Sequence, residues 1–192
     1  DKLMGPTAWR KDPQLARGSL IIGVLRDGDW NIAQKWLSDN SIPNNPAEGT
    51  FNPEAMNWIN VSDYVAAAEK FSGHYCTRLT NTVTHSSDEH CADGAVTWTP
   101  GDVTIAEHTN AVSIVSTADY QSQMPNVIIG NSSWMSEHRD LVKAMLRSMF
   151  DGGAAVMSDD GALRKAGDLS AQVYHEKDGS YWYKYFHIQR HK

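Results

Sequence analysis

Apolar residues in this chain fall into short runs separated by polar turns, and the runs change character along its length. Ser19-Leu-Ile-Ile-Gly-Val-Leu25 is a continuous apolar stretch, the pattern of a strand buried on both faces. Arg26-Asp-Gly-Asp-Trp-Asn31 follows as a turn built on Gly28. Ile32, Trp36 and Leu37 then share one helical face, and that helix is expected to end near Asn40. Residues 41–55 carry Pro43, Pro46 and Pro53 and read as a loop. Met56 to Val61 predicts a second strand, and Ser62 and Asp63 are placed to cap a helix from Tyr64 to Phe71. Ala95 to Trp98 predicts a third strand, Val103 to His108 a short helix, and Ala111 to Val115 a fourth strand.

Four alternations of strand and helix predict an α/β fold, a mainly parallel five-stranded sheet flanked by helices. Pro125-Asn-Val-Ile-Ile-Gly130 supplies the fifth strand. From Ser133 onward the pattern is helical, with Trp134, Leu141, Val142, Met145 and Met149 near helical spacing. Gly152 and Gly153 are expected to stop that helix. A second helix runs from about Asp160 to Tyr174, and an aromatic turn, Tyr181 to Phe186, follows. Residues 1–18, polar and broken by Pro6 and Pro13, read as a linker or crossover. The expected organisation is therefore 1–18 as crossover, 19–124 as an α/β lobe, and 125–192 as a return strand with helices.

The formal net charge is −6, and the basic residues are scattered apart from Arg190-His191-Lys192. Binding to a phosphate backbone needs clustered Lys and Arg, so nucleic acid is excluded as a partner. No apolar run approaches the ~20 residues that span a bilayer. The first residue is Asp1 rather than Met, and the reading is of a processed or truncated product. Cys76 and Cys91 flank a polar stretch, and a bridge between them implies an oxidising compartment, periplasmic or extracellular. With His74, His85 and His90 nearby, a metal site is the rival reading, although the spacing matches no paired-ligand zinc pattern. Two free thiols are the third.

Arg17-Gly-Ser-Leu-Ile-Ile-Gly-Val24 resembles the opening of the second lobe in type 2 periplasmic solute-binding proteins. Asp93-Gly-Ala-Val-Thr-Trp-Thr-Pro100 resembles a stretch of that fold's nitrate, taurine and thiamine-precursor branch. Pro125-Asn-Val-Ile-Ile-Gly130, followed by the helix that holds Leu141-Val-Lys-Ala-Met-Leu146, resembles the same branch's return to its first lobe. The strings from Asp27 to Asn31, Thr97 to Asp102 and Ser122 to Pro125 resemble a phosphate-type substrate-binding subgroup, some of whose members carry a peptidoglycan-binding domain. The resemblance implies a protein that captures a small molecule between two lobes for an ABC-type permease. It also implies that residues 125–192 pack on a first-lobe segment, missing here, or on another copy. The branch's Gly-Ser-Thr at the first helix start is replaced by Asp27 and Asp29, and its Glu before Pro by Thr99, which weakens any transfer of an oxyanion ligand.

In open α/β sheets, ligands bind outside the carboxyl ends of the strands. Two such ends are marked here. Asp27, Asp29, Trp30 and Asn31 can hold an amine or hydrated cation with Trp30 stacked on it. Equally, the acidic pair can cap the helix. Thr97, Trp98, Thr99 and Asp102 offer hydroxyls, an indole and a carboxylate, or else a core tryptophan, a Pro-Gly turn and a cap. The two tryptophans are expected to line one concave site. The ligand set is thus Asp27, Asp29, Trp30, Asn31, Thr97, Trp98, Thr99 and Asp102, for a cationic or phosphate-type solute, with no cofactor or metal. Asp27-x-Asp29-x-Asn31 opens like a calcium loop but has Ile32 where Gly is needed and Ser38 where Glu is needed. No nucleophile elbow, P-loop, HExxH or dinucleotide fingerprint occurs, so a binding module is expected rather than an enzyme. The alternative is an envelope or surface structural or sensor protein that kept the fold without transport.

Overall fold

The computed structural model describes residues 1–120, 127–175 and 177–190. It divides into two compact units, Asp1–Asn126 and Val127–Lys192. Unit 1 is mixed α/β. Its main sheet has six strands in the order β3-β5-β2-β8-β1-β9: β1 Lys2–Gly5, β2 Leu20–Gly23, β3 Asn44–Asn45, β5 Met56–Asn60, β8 Gly94–Thr97 and β9 Val112–Ser116. Strands β3, β5, β2 and β8 run parallel. β1 lies antiparallel between β8 and β9.

The segment expected as a linker is therefore inside the sheet. Four residues are too few to show a period, yet Leu3 and Met4 are both buried, one toward each face. A short helix, α1 Ala8–Lys11, then folds Trp9 back onto β1. Gly5 is what permits this, because a Cβ there would meet the Trp9 ring at 2.5 Å.

Helix α2, Gly28–Asp39, covers one face with Ile32, Ala33, Trp36 and Leu37 packed against Leu3, Ile21, Trp58 and Val96. Helices α3, Tyr64–Ser72, and α4, Gly101–His108, cover the other with Ala67, Ala68, Phe71 and Ile105 against Met4, Ile22 and Ala95. Asp63 caps α3 as expected, its carboxylate accepting from the Ala66 N–H at 2.9 Å.

The polar stretch between the cysteines is not a loop but a hairpin, β6 Cys76–Asn81 and β7 Ser87–Cys91, joined by β4 Thr50–Phe51 into a second, three-stranded sheet. Cys76 and Cys91 stand directly opposite one another in its register and are disulfide-bonded. Among the described residues no group of three or more His, Cys, Asp or Glu converges on a metal position.

Unit 2 is helical: α5 Ser132–Glu137, α6 Arg139–Ser158, α7 Asp160–Val173 and α8 Ser180–Arg190. Two expectations are corrected here. Residues 127–130 form no strand, and Val127, Ile128 and Ile129 are exposed; Pro125, Asn126 and the string from Ser122 to Pro125 lie outside the described residues. Gly152 and Gly153 do not stop α6, which passes through both to Ser158. The aromatic segment is a helix, packed on α7 through buried Trp182. No helix among the described residues is long and apolar enough to cross a membrane.

Candidate ligand site at the carboxyl edge of the sheet

The parallel strands deliver four connections to one edge, and the expected site residues all lie there, but the structure divides them. After β2 the chain turns through Arg26, whose φ of 68° is left-handed, an uncommon state for a residue with a Cβ. Asp27 then caps α2, accepting the Gly28 N–H at 2.7 Å. Capping therefore uses one oxygen of the exposed Asp27 carboxylate. Asn31 is exposed, its backbone N–H donating to the Asp27 carbonyl.

Asp29, two residues on, is buried. Burial pushes its carboxyl up to about 6, the nearby charge of Asp27 adds to this, and the amino group of Asp1 opposes it. Trp30 is half-buried and meets Trp58 edge-to-face at 6.2 Å. Its Nε1–H is buried without a partner.

At the end of β8, Thr97 is fully buried and its hydroxyl donates to the Tyr64 carbonyl at 3.1 Å. It ties β8 to the start of α3, with its hydroxyl already bonded inside the fold. Trp98 is exposed and packs edge-to-face on Tyr64 at 4.6 Å. Thr99 is half-buried, before a cis bond to Pro100. Asp102 is buried and paired with Lys2 of β1, and its second oxygen has no partner. Trp30 thus belongs with the cluster under α2, and Trp98 with α3 on the opposite face. The expectation that one concavity holds both indoles is not met.

A cavity of about 300 Å³ does open at this edge, lined by Leu25, Arg26, Trp30, Pro46, Glu48 and Asn60. It sits at the carboxyl ends of β2, β5 and β3 together. The Asn60 carboxamide oxygen accepts the Leu25 N–H at 3.1 Å and so fixes one wall. Sequence reasoning found Trp30 and missed Arg26, Glu48 and Asn60 as lining residues. Arg26 stood inside the turn already singled out, whereas Glu48 stood in a proline-rich stretch with no periodic signal.

A larger hollow of about 660 Å³ lies at the opposite edge, bordered by the disulfide, His74, Asp93, Glu107 and His108. It collects the C-terminal ends of α3 and α4, where backbone carbonyls rather than N–H donors are free. The carboxyl edge is the better candidate. It combines the strand-end loops, the start of α2 and two of the buried polar atoms that lack a partner. Compared with family models, with curated proteins and with solved structures, the chain matches none.

Proposed function

We propose that unit 1 is the solute-binding lobe of an extracytoplasmic receptor, the second lobe of a type 2 periplasmic-binding-protein fold serving an ABC-type permease. The observation that carries the reading is the cavity at the carboxyl ends of three parallel strands, with the half-buried Trp30 among its lining residues. The path of the backbone supports it. The start of β1 and the end of β9 lie side by side at this same edge, with Lys2 opposite Ser116 and the Thr117 N–H donating to the Asp1 carbonyl at 3.1 Å. Element-terminal residues such as these are where hinge closure over a ligand takes up its backbone change. The disulfide is consistent with an oxidising compartment.

A second reading, an envelope or surface assembly subunit, draws on a different observation: no residue of α6 is buried, and Leu141, Met145, Met149 and Phe150 are exposed. A thermal-shift screen against amines, amino acids, oxyanions and divalent cations separates the two. A solute at 100 times its dissociation constant adds about 2.7 kcal/mol of stability, and the receptor reading expects at least one such shift that Trp30→Ala removes. A screen without any shift contradicts it.

A further inference from the structure

Helix α6 carries its apolar and basic residues in rows. Leu141, Met145 and Met149 recur at i, i+4 and i+8, and so do Val142, Leu146 and Phe150. At 3.6 residues per turn the two rows adjoin and form one broad apolar face. Leu141, Met145, Met149 and Phe150 are exposed on it. Arg139, Lys143 and Arg147 form a third row at the same spacing, beside the Val142 row. Among the described residues none of these three side chains makes an ion pair or a hydrogen bond. Asp140 and Asp151 lie on the side of the helix away from Met149. Against the basic row, α5 and α6 border a hollow of about 390 Å³. Ser132 and Ser136 give it two hydroxyls, Arg139 and Lys143 two cations, and Met135 and Val142 apolar surface. The segment that enters it through Gly130 exposes Val127, Ile128 and Ile129, and α5 exposes Trp134.

We propose that α5 and α6 are a docking surface for an anionic phospholipid membrane. Helix α6 lies in the plane of the interface with its apolar face toward the acyl chains, and Arg139 and Lys143 hold a lipid phosphate in the hollow. The proposal concerns unit 2 and does not rest on the solute-binding reading of unit 1. An apolar face alone fits any apolar partner, and the unpaired basic row beside it selects an anionic one. A helix of this make binds at a membrane surface through apolar area and attraction to anionic headgroups together. The long stems of Arg and Lys cover apolar surface while their charges reach the phosphate level. Tryptophan favours the same boundary, as the exposed Trp134 would. Charge along the chain agrees. Residues 1–126 hold 8 Lys and Arg against 15 Asp and Glu, whereas residues 127–192 hold 9 against 8, so the acidic excess that an anionic surface repels lies outside unit 2.

The test is co-sedimentation of the whole chain with two kinds of vesicle, pure phosphatidylcholine and equal parts of phosphatidylglycerol and phosphatidylcholine. Inorganic phosphate is titrated alongside by calorimetry. Partition onto the anionic vesicles is expected to be roughly tenfold or more above that onto the neutral ones, and to fall as salt is raised. Each basic side chain at an anionic surface adds about fivefold to partition. Arg139→Gln combined with Lys143→Gln is therefore expected to lose roughly tenfold or more on anionic vesicles and to leave neutral ones unchanged. Met145→Ser combined with Met149→Ser is expected to weaken binding to both. All four positions are exposed, and an unchanged far-ultraviolet circular dichroism spectrum checks that the variants fold. The salt dependence of the parent chain needs no variant.

The proposal is overturned if the chain stays in solution beside anionic vesicles, or if both kinds of vesicle bind it equally. Anionic vesicles that bind the Arg139→Gln, Lys143→Gln variant as well as the parent overturn it too. So does inorganic phosphate that binds, and is lost in that variant, while vesicles bind nothing, because the hollow is then a site for a soluble anion. Self-association that Met145→Ser with Met149→Ser disperses, without vesicle binding, assigns the face to a second copy instead. In none of these cases does the reading of unit 1 change.

Discussion

Asp29 shows how one buried group at the edge couples fold to pH. Its carboxyl is raised by burial from 3.8 to about 6. A raised acid contributes stability that is fully present below its unfolded pKa and is lost as pH climbs through its folded one. Between pH 4 and pH 7 the loss amounts to at most about 3 kcal/mol. Asp29→Asn removes the titration, so its stability relative to the parent should improve across that window. Urea denaturation at pH 4 and pH 7 measures this, and a difference that does not change with pH contradicts it. The other residues at this edge divide by what they already hold. Thr97 at a strand end reads equally as a ligand hydroxyl or a buried tether, and the Tyr64 carbonyl decides for the tether. Asp27 reads equally as ligand or cap, and one of its oxygens accepts the Gly28 N–H. Trp30 was legible because a tryptophan just after a buried strand sits at the edge, in the first turn of α2, whereas Glu48 reaches the cavity from the connection between β3 and β4, which no local pattern encodes.

Elements with a strong local signal agree with the sequence reading within a residue or two: α3 with its Asp63 cap, β5, β8 and α7, whereas α2 ends where expected but begins at Gly28, inside the segment expected as a turn. Those missed lack one. β1 spans only four residues, and its place between β8 and β9 is decided by long-range pairing. The β6–β7 hairpin is polar on both faces and largely exposed, so alternation is absent, and the disulfide across its open end supplies what apolar burial does not, about 3 kcal/mol in the chain-entropy model. Gly152 and Gly153 were misread because adjacent glycines usually end a helix. In α6 nothing lies within 4 Å of a Cβ built on either one, so neither is required by packing. Each costs roughly 1 kcal/mol relative to alanine in a helix interior. Gly152→Ala and Gly153→Ala should therefore each stabilise unit 2 by about 0.5–1 kcal/mol, seen as a higher melting midpoint in far-ultraviolet circular dichroism. A lowered midpoint for either would mean that another surface closes on that helix face.

At the scale of the molecule, the alternation of strands and helices predicts the α/β class of unit 1, and the helical spacing after Ser133 predicts the helices of unit 2. Alternation could not reveal that the main sheet has six strands, one of them antiparallel, or that the edge holds its tryptophans on opposite faces. Helix packing on both sides of the sheet separates those two indoles, and it leaves the cavity to the ends of β2, β3 and β5. The central claim is that this cavity is where a solute binds. Each of the seven tryptophans carries one indole N–H that a nitrogen-15 correlation spectrum reports, and Trp30→Phe assigns the one that matters. On titration with a stabilising solute, the Trp30 indole signal should move and saturate with the binding curve, while those of buried Trp9 and Trp36 stay in place. Saturable binding that leaves the Trp30 signal unmoved would contradict the account.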